Sequence, residues 1–399
     1  MKILVINAGS SSLKYQFIDM QSQSCLAKGL CDRIGIDDGF FKQSAGETYV
    51  EEHVDIPDHA TAIRLVLKYL TDSKHGVISD VSEITAVGHR VVNGGEIFTE
   101  STLLTEEKIN KIEELTDFAP LHNPPAVTGM RACVSVMGEN VPQVAVFDTS
   151  FHQTMPEAAA LYPLPKKYHE ELGIRRFGAH GTSHKFVAGE CAKYLGRDIS
   201  ELKLVTCHLG NGSSITAVDG GKSVDTSMGF TPLAGVMMGT RCGDIDPAIV
   251  LYIMEKEGLD TKEMNVLLNK KSGALGVSGF SSDFRDIEEK ARSGNPDAIR
   301  VLDMLSYQVV KYIGAYAAAM GGLDAIVFTA GLGENNSTVR KYICQRLGYF
   351  DTRLDEEKNK ARGELTEIST ADSKVKLIVI PTNEELAIAK DVQDIVSKM

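Results

Sequence analysis

The sequence predicts an α/β protein made of two related halves, each with a mixed β-sheet flanked by helices. Near the N-terminus, the apolar run Ile3 to Ile6 leads into a glycine-serine turn and then an alternating segment, which is a strand-turn-strand pattern. The same order recurs at mid-chain between Leu204 and Val218. Aligning Ser11 with Ser213 gives an offset of 202 residues (213 − 11), about half of the 399-residue chain. The two hairpin-like segments imply antiparallel pairing, so the sheets are expected to be mixed.

Segments with helical and strand patterns alternate along the rest of the chain. The predicted helices are Thr61 to Leu70, Thr105 to Thr116, Pro296 to Met320, a segment from about Ser337, and Glu384 to Lys398. Two apolar runs, Ala325 to Phe328 and Leu377 to Ile380, are typical of buried strands. Proline is favoured in the first turn of a helix, and Thr382 or Asn383 is suited to cap the last one. Domain crossings are expected in the proline-rich stretch after Pro156 and again near Pro381.

Composition and charge are those of a globular protein of two or three domains. Hydrophobic residues make up 43% and charged residues 24%, which excludes a disordered or fibrous chain. The formal charge of −12 argues against general binding to nucleic acid or anionic membranes, because both need clustered Lys and Arg. The seven cysteines stand without a Cys-x-x-Cys pair, and no apolar run is suited to a membrane span. We therefore expect a soluble cytoplasmic protein with reduced thiols.

Three glycine loops that follow strands are candidate phosphate cradles. They are Asn7 to Ser12, Gly210 to Ser214 and Gly331 to Asn335. Glycine lets backbone N–H groups approach phosphate oxygens closely, and serine hydroxyls add further donors. One such loop is more often a simple turn, but three of them favour phosphate binding. No complete Walker or Rossmann motif is present, since Thr216 and Ile215 stand where those motifs need glycine.

Two arginines flanked by glycine and apolar residues are candidate anion-binding groups. Arg90 follows Ala86-Val87-Gly88, and Arg241 lies between Gly239 and Gly243. The planar guanidinium group can bond two oxygens of a carboxylate or phosphate at once. The alternative for each is an ordinary surface or ion-pair residue.

Two carboxylates and one histidine have similar alternatives. Asp148 follows the apolar run Val144 to Phe147, where a carboxylate often reaches a site through Mg²⁺, but it could equally cap a helix. Glu384 could serve a site or simply begin the last helix. His180 and His184 have the spacing of a helical metal pair, but Gly181 and its neighbours favour a loop at His180. We therefore interpret His180 as a hydrogen-bond donor to a charged ligand.

With these residues assembled, the chain closely resembles the acetokinase family of the acetate and sugar kinase/Hsc70/actin superfamily over its full length. The segments that carry the resemblance are Asn7 to Lys14, Val146 to Pro156, Arg176 to His184, His208 to Gly212, Asp225 to Pro232 and Pro381 to Glu385. The resemblance implies two duplicated ribonuclease-H-like domains with mixed sheets. Residues 1–150 would form the first, joined by the C-terminal helix 383–399, and residues 151–382 the second, nucleotide-binding one. An active-site cleft would lie between them.

The resemblance also implies an activity. The enzyme would transfer the γ-phosphoryl group of ATP to acetate reversibly, giving acetyl phosphate and ADP, with Mg²⁺ as cofactor and Mn²⁺ as an alternative ion. Its partners would be these small molecules and a second copy of the chain in a homodimer, without nucleic acid or membrane. A propionate- or butyrate-preferring kinase is the nearest alternative, followed by an actin-like or chaperone ATPase and by a sugar kinase.

The resemblance assigns roles to individual residues. Asn7 and Glu384 would hold the metal ion, Arg90 would bind the carboxylate, and Asp148, His180 and Arg241 would act with Arg90 in catalysis. The ATP-binding set would be Lys14, His208, Leu209, Gly210, Asn211, Gly212, Asp283, Phe284, Arg285, Gly331, Leu332, Gly333, Glu334 and Asn335. The pocket for the methyl group would be formed by Val92, Leu121 and Pro232, for which core packing is the alternative.

Overall fold

The computed structural model describes all 399 residues, and the chain divides into two compact units. The first unit comprises Met1–Phe151 together with Asn383–Met399, and the second comprises His152–Thr382. The last helix of the chain thus belongs to the unit that contains the N-terminus.

The chain contains fourteen strands and fourteen α-helices. The strands are β1 (Lys2–Ala8), β2 (Ser12–Asp19), β3 (Ser24–Asp32), β4 (Phe40–Ala45), β5 (Thr48–His53), β6 (Ala86–Val91), β7 (Thr102–Leu103), β8 (Gln143–Phe147), β9 (Lys203–Leu209), β10 (Ser213–Asp219), β11 (Lys222–Thr226), β12 (Ala325–Thr329), β13 (Thr366–Glu367) and β14 (Lys376–Val379). The helices are α1 (His59–Leu70), α2 (Glu106–Glu114), α3 (Asn123–Met137), α4 (Glu157–Ala160), α5 (Lys167–Leu172), α6 (Gly181–Leu195), α7 (Pro247–Glu257), α8 (Thr261–Lys270), α9 (Gly273–Ser278), α10 (Phe284–Arg292), α11 (Pro296–Met320), α12 (Ala330–Asn335), α13 (Ser337–Cys344) and α14 (Glu384–Val396). No helix combines the length and the apolar character needed to cross a membrane.

The first unit is built on an eight-stranded sheet in the order β5-β4-β3-β2-β1-β6-β8-β7. Strands β1 to β5 pair antiparallel in succession, whereas β6 lies parallel to β1 and β8 lies parallel to β6. Residues of α1 and α3 share a buried apolar cluster with the strands, and α14 packs against β1, β6 and β8. The sheet is therefore mixed and covered by helices.

The second unit repeats this strand topology. Its six-stranded sheet has the order β11-β10-β9-β12-β14-β13, with β9, β10 and β11 antiparallel and with β12 and β14 parallel to β9. In both units the first strand, β1 or β9, thus has its antiparallel hairpin partner on one edge and two parallel strands on the opposite edge. Strands β1 and β9 begin at Lys2 and Lys203, an offset of 201 residues (203 − 2). The α/β fold with two related mixed sheets flanked by helices is confirmed.

The long helix α11 and the last helix α14 form where the sequence predicts them. Asn295 caps α11 by accepting hydrogen bonds from the backbone N–H groups of Asp297 and Ala298, each at 3.0 Å. The helix ends at Gly321, whose φ of 66° lies in the left-handed region that glycine adopts without strain. Asn383 caps α14 by accepting from the N–H of Leu386 at 3.0 Å.

The predicted glycine loop at Gly331 to Asn335 is in fact the short helix α12, so that prediction is wrong in its local structure. Helix propensity disfavours two glycines in six residues, which is why the sequence indicates a loop. Tertiary contacts override the propensity. The Glu334 carboxylate accepts from the N–H of Thr382 at 3.0 Å, and a Cβ atom on Gly333 would lie 3.5 Å from the carbonyl oxygen of Cys207 on β9.

The close packing of α14 on β6 yields a test of the fold. A Cβ atom on Gly88 would lie 2.7 Å from Cγ2 of Ile388 and 2.8 Å from Cγ2 of Val392. We expect Gly88→Ala to lower the free energy of unfolding by about 1–3 kcal/mol, because overpacking forces the helix away from the sheet. Thermal unfolding measures this. The control is Gly314→Ala in α11, where a Cβ atom would meet nothing within 4 Å. Equal stability of the two variants would contradict the packing of α14.

Candidate active site

In the first unit, Arg90 lies at the centre of an acidic cluster. Parallel pairing of β6 with β8 brings the carboxyl ends of these strands to one edge of the sheet, so Arg90 and Asp148 meet. Arg90 Nη2 donates to Asp148 Oδ2 at 2.6 Å, and Nε lies 3.2 Å from both carboxylate oxygens. Glu384, at the start of α14, places Oε2 at 4.0 Å from Arg90 Nε. Asp148 therefore forms a buried ion pair and does not cap a helix.

The charges in this cluster perturb one another. Asp148 raises the pKa of the Arg90 guanidinium above its ordinary value. The pKa of Glu384 is raised to about 7, mainly by burial; Arg90 opposes this shift, and the nearby carboxylates of Asp148 and Glu385 add to it. Three carboxyl groups thus lie near two positive groups, the guanidinium of Arg90 and the ammonium of Lys14, which lines the same cavity. A cation that entered this cluster would be stabilised by the excess negative charge.

Asn7 and Lys14 lie beside this cluster as register partners on β1 and β2. Together with Arg90 and Glu384 they line a small cavity of about 20 Å³, large enough for roughly one water molecule. Amide and carboxylate oxygens are the ligands that Mg²⁺ prefers, and it usually takes only one or two carboxylates from the protein. Asn7 and Glu384 therefore fit a magnesium ion. The chain has no group of three or more His, Cys, Asp or Glu side chains arranged for a metal ion.

In the second unit, the side chains of His180 and Arg241 both lie close to Gly212, in the glycine loop between β9 and β10. A Cβ atom on Gly212 would lie 3.5 Å from His180 Nε2 and 3.7 Å from Arg241 Nη1. Arg241 Nη1 donates to the carbonyl oxygen of Pro232 at 3.2 Å and lies near the sulfur of Met238, so no carboxylate of this chain pairs with it. Burial lowers the pKa of its guanidinium from the ordinary value. Two donors suited to an anion thus converge on this loop.

His180 immediately precedes α6, as the sequence predicts for a residue on a loop that enters a helix. Its backbone has a φ of 57°, a left-handed conformation that is uncommon for a residue with a side chain. Its ring stacks on the ring of His208, with centroids 4.1 Å apart and planes 18° apart. The loop conformation and the stacking together fix the direction in which the imidazole points.

A cleft of about 510 Å³ in the second unit has the size of a small-molecule site. Its lining is Gly210, Asn211, Ser282, Asp283, Phe284, Arg285, Glu288, Gly331, Leu332, Asn335, Asn336 and Arg362. Eight of these twelve belong to the ATP-binding set that the sequence predicts. Ser282, Glu288, Asn336 and Arg362 are additional, and no motif in the sequence marks them.

Five other predicted nucleotide residues of this unit do not line the cleft. Leu209 is fully buried in the core, and Gly333 packs against the end of β12. Glu334 accepts hydrogen bonds from the N–H groups of Ala330 and Thr382, at 2.8 and 3.0 Å. His208 and Gly212 lie beside His180. These residues shape the loops that border the cleft.

The three residues predicted for the methyl pocket are not core residues. Leu121 is 73% exposed, whereas Val92, directly after β6, and Pro232 are partly exposed. Core packing, the alternative interpretation, therefore does not explain them.

Arg340 on α13 is a structural residue of the cleft that sequence reasoning missed. Its guanidinium is completely buried and donates to the carbonyl oxygens of Gly333 and Ala361, at 2.8 and 2.9 Å, and to Asn359 Oδ1 at 2.9 Å. It thereby ties α12 to the segment that leads to Arg362. A single arginine in a helical pattern looks like a surface residue, so no sequence signal identifies it.

Comparisons with known proteins agree along the whole chain. Residues 2–390 match the family model described as the acetokinase family. The chain is 57% identical to the acetate kinase of Halothermothrix orenii over 399 residues, covering 99% of this chain and 100% of that protein. It is 56% identical to the acetate kinase of Methanosarcina thermophila over 397 residues, covering 99% and 97%.

Solved structures give the same result. The crystal structure of Porphyromonas gingivalis acetate kinase superposes with a TM-score of 0.96 at 44% identity and 99% coverage of each chain. A propionate kinase from Francisella tularensis superposes with a TM-score of 0.90 at 40% identity and 98% coverage of each chain. Taken with the fold, these matches show that the chain belongs to the acetokinase family.

Proposed function

We propose that this enzyme transfers the γ-phosphoryl group of ATP to acetate, reversibly, forming acetyl phosphate and ADP. The observation that carries the proposal is the convergence of Arg241 and His180 on the glycine loop that also lines the 510 Å³ cleft. A nucleotide in that cleft would present its terminal phosphate to these two donors. The names of the relatives that match over the full length support acetate as the acceptor.

The chemistry of a carboxylate acceptor fits these residues. Acetate is already ionised at pH 7, since carboxyl groups ordinarily have pKa values near 4, so no strong general base is needed. The main barrier is the repulsion between two anions that must approach each other. Guanidinium and imidazole donors oppose this repulsion and stabilise negative charge on the transferring group during in-line displacement. In this proposal Arg90 binds the acetate carboxylate, and Val92, Leu121 and Pro232 surround its methyl group.

The acidic cluster of the first unit is proposed as the magnesium site. Asn7 and Glu384 would hold the ion, with Asp148 helping to position it, and Mn²⁺ could take the same oxygen ligands. The ion would neutralise charge on the phosphate oxygens. Lys14 would contact a nucleotide phosphate. The cleft residues of the second unit would bind the rest of ATP or ADP.

Seven cysteines without disulfide bonds support a location in a reducing compartment, and we propose the cytoplasm.

The two units are proposed to have different roles. The acceptor-binding domain would be Met1–Phe151 with Asn383–Met399, and the nucleotide-binding domain would be His152–Thr382.

A direct assay tests the reaction. The protein is incubated with ATP, Mg²⁺ and a carboxylic acid, and acyl phosphate is trapped with hydroxylamine. We expect hydroxamate with acetate, less with propionate and less again with butyrate, since one methylene is worth only about 1–3 kcal/mol of discrimination. Chelation of divalent ions should abolish the product. A preference for propionate would instead favour propionate kinase activity, the activity named for the solved structure that is 40% identical to this chain. No hydroxamate with any acid would contradict the proposal.

The proposed roles of the arginines predict large losses of turnover. We expect Arg241→Ala and Arg90→Ala each to lower kcat by at least ~100-fold, because removal of one donor to a developing anion typically costs ~10²–10³. The melting temperature should stay near the wild-type value in Arg241→Ala, which breaks no carboxylate pair. The matched control is Arg353→Ala, which removes a surface ion pair to Asp372 at 2.8 Å. Near-normal kinetics in Arg241→Ala would contradict the mechanism.

We propose that the protein is a homodimer, with α7 in the interface. No charged residue occurs between Pro247 and Met254, yet no residue of α7 is buried. Leu251 and Tyr252 are 71% and 61% exposed, which is unusual for a free surface. Asp244, just before α7, accepts a hydrogen bond from the hydroxyl of Tyr312 on α11, which ties the segment that leads into α7 to the longest helix of the unit. A second copy of the chain is the proposed occupant.

Light scattering after size-exclusion chromatography tests this interface. We expect the wild-type protein to have twice the chain mass and Leu251→Glu to have the mass of one chain, because a charge in an apolar interface lacks a partner. The control is Tyr349→Glu, at a site that is 93% exposed. A monomeric wild-type protein, or a dimeric Leu251→Glu variant, would contradict the proposal.

A further inference from the structure

Four side chains of the second unit form a hydrogen-bonded chain that ends at His180. Thr206 Oγ1 on β9 lies 2.7 Å from His184 Nδ1, and His184 Nε2 lies 2.7 Å from Ser214 Oγ on β10. Ser214 Oγ in turn lies 2.9 Å from His180 Nδ1. Thr206, His184 and Ser214 are completely buried. We propose that these three are positioning residues that keep the proton of neutral His180 on Nε2. The consequence for catalysis rests on the proposed function.

The direction in which the four side chains donate their hydrogen bonds follows from Thr206. Its hydroxyl group is buried, and His184 Nδ1 is the one side-chain atom with which it forms a hydrogen bond. If His184 donated to this oxygen, the hydroxyl proton would be buried without an acceptor, which is costly. An oxygen with an unused lone pair is tolerated far more often. Thr206 therefore donates, and His184 Nδ1 accepts.

The positions of the protons on His184 and Ser214 then follow. Burial holds the pKa of His184 well below its ordinary value, so its ring is neutral and carries a single proton. Because Nδ1 accepts, that proton is on Nε2 and is donated to Ser214 Oγ. The Ser214 hydroxyl proton is consequently donated to Nδ1 of His180. A neutral His180 then carries its own proton on Nε2.

This tautomer matters because Nε2 is the nitrogen on the ring edge that faces the glycine loop, where Cε1 and Nε2 lie equally close to Gly212. The position of a Cβ atom on Gly212 would be 3.5 Å from Nε2 and 3.7 Å from Arg241 Nη1. A proton on Nε2 makes this end of the ring a donor to phosphoryl oxygens. The opposite tautomer would present a lone pair to the same anionic oxygens and repel them. The hydroxyl of Thr206, three hydrogen bonds away, thus determines what His180 offers to the ligand.

A second set of contacts holds the ring in place. His208, which stacks on His180, has Nδ1 at 2.8 Å from Ser183 Oγ, and Ser183 Oγ lies 2.8 Å from Thr382 Oγ1. Stacking restricts the tilt of the His180 ring, and the bond from Ser214 restricts its rotation. The orientation is therefore set by α6, β9 and β10.

Kinetic variants test the proposal. We expect Thr206→Val, which replaces the hydroxyl by a methyl group of similar size, to lower kcat by ~10- to ~100-fold with little change in the KM values, because a His180 ring with the proton on Nδ1 no longer donates to the transferring group. Ser214→Ala should have a similar effect. Thr206→Ser restores a hydroxyl group and should recover most of the activity.

The control and the double variant separate positioning from a general structural effect. Thr216→Val lies on the same strand and side as Ser214 and removes a buried hydroxyl bonded to Thr226 at 2.9 Å, so its kcat should stay within about twofold of wild type. In a His180→Ala background, Thr206→Val should have no further effect, because it acts through His180. An equal loss in both backgrounds, or wild-type kcat in Thr206→Val, would overturn the proposal.

A measurement without activity keeps this test distinct from the proposed function. In protein labelled with ¹⁵N-histidine, the ring signals of His180 report which nitrogen carries the proton, and His180→Ala identifies those signals. We expect Nε2 to be protonated in neutral wild-type His180 and the Nδ1-protonated form to appear in Thr206→Val. A wild-type proton on Nδ1 would overturn the inference even if acetyl phosphate is formed. Failure of the acetate assay with the expected tautomers would contradict only the proposed function.

Discussion

The pairing of parallel strands next to an antiparallel hairpin is the constraint on which both units depend. Because β6 and β8 run parallel to β1, their carboxyl ends come to one edge of the sheet together with the turn after β1. In the second unit, β12 runs parallel to β9, so α12 begins beside the turn after β9. Backbone hydrogen bonding thus gathers distant parts of the chain before any functional side chain is considered.

The two units use this edge with opposite electrostatics. In the first, the carboxyl groups of Asp148, Glu384 and Glu385 outnumber the positive groups of Arg90 and Lys14, which favours a cation beside the guanidinium that is proposed to bind acetate. In the second, Arg241 has no carboxylate partner and lies near His180, so the local groups favour an anion. The net charge of −12 describes the protein as a whole and gives no indication of this division. Local pairing of charges decides which ligand each edge attracts.

Local sequence signals predicted the capped helices well, but they did not predict features that depend on contacts between distant residues. Helix α11 begins and ends where Pro296 and Gly321 indicate, because caps act over a few residues. Helix α12 was not predicted, because the contacts of Glu334 with Thr382 and of Gly333 with β9 override the low helix propensity of glycine. The structural role of buried Arg340 was missed for a related reason, since the carbonyl groups that accept its hydrogen bonds are brought together only in the folded chain.

The sequence by itself determined the class of fold, the duplication and the family, and it proposed most of the candidate site residues. Those properties depend on local patterns: apolar strands, glycine turns, and residue types with a definite chemistry. Only the tertiary structure decided that Asp148 pairs with Arg90 and that Thr206 is linked to His180 through His184 and Ser214. The physical reason is that hydrogen bonds and ion pairs depend on distances of about 3 Å between atoms of residues far apart in the chain.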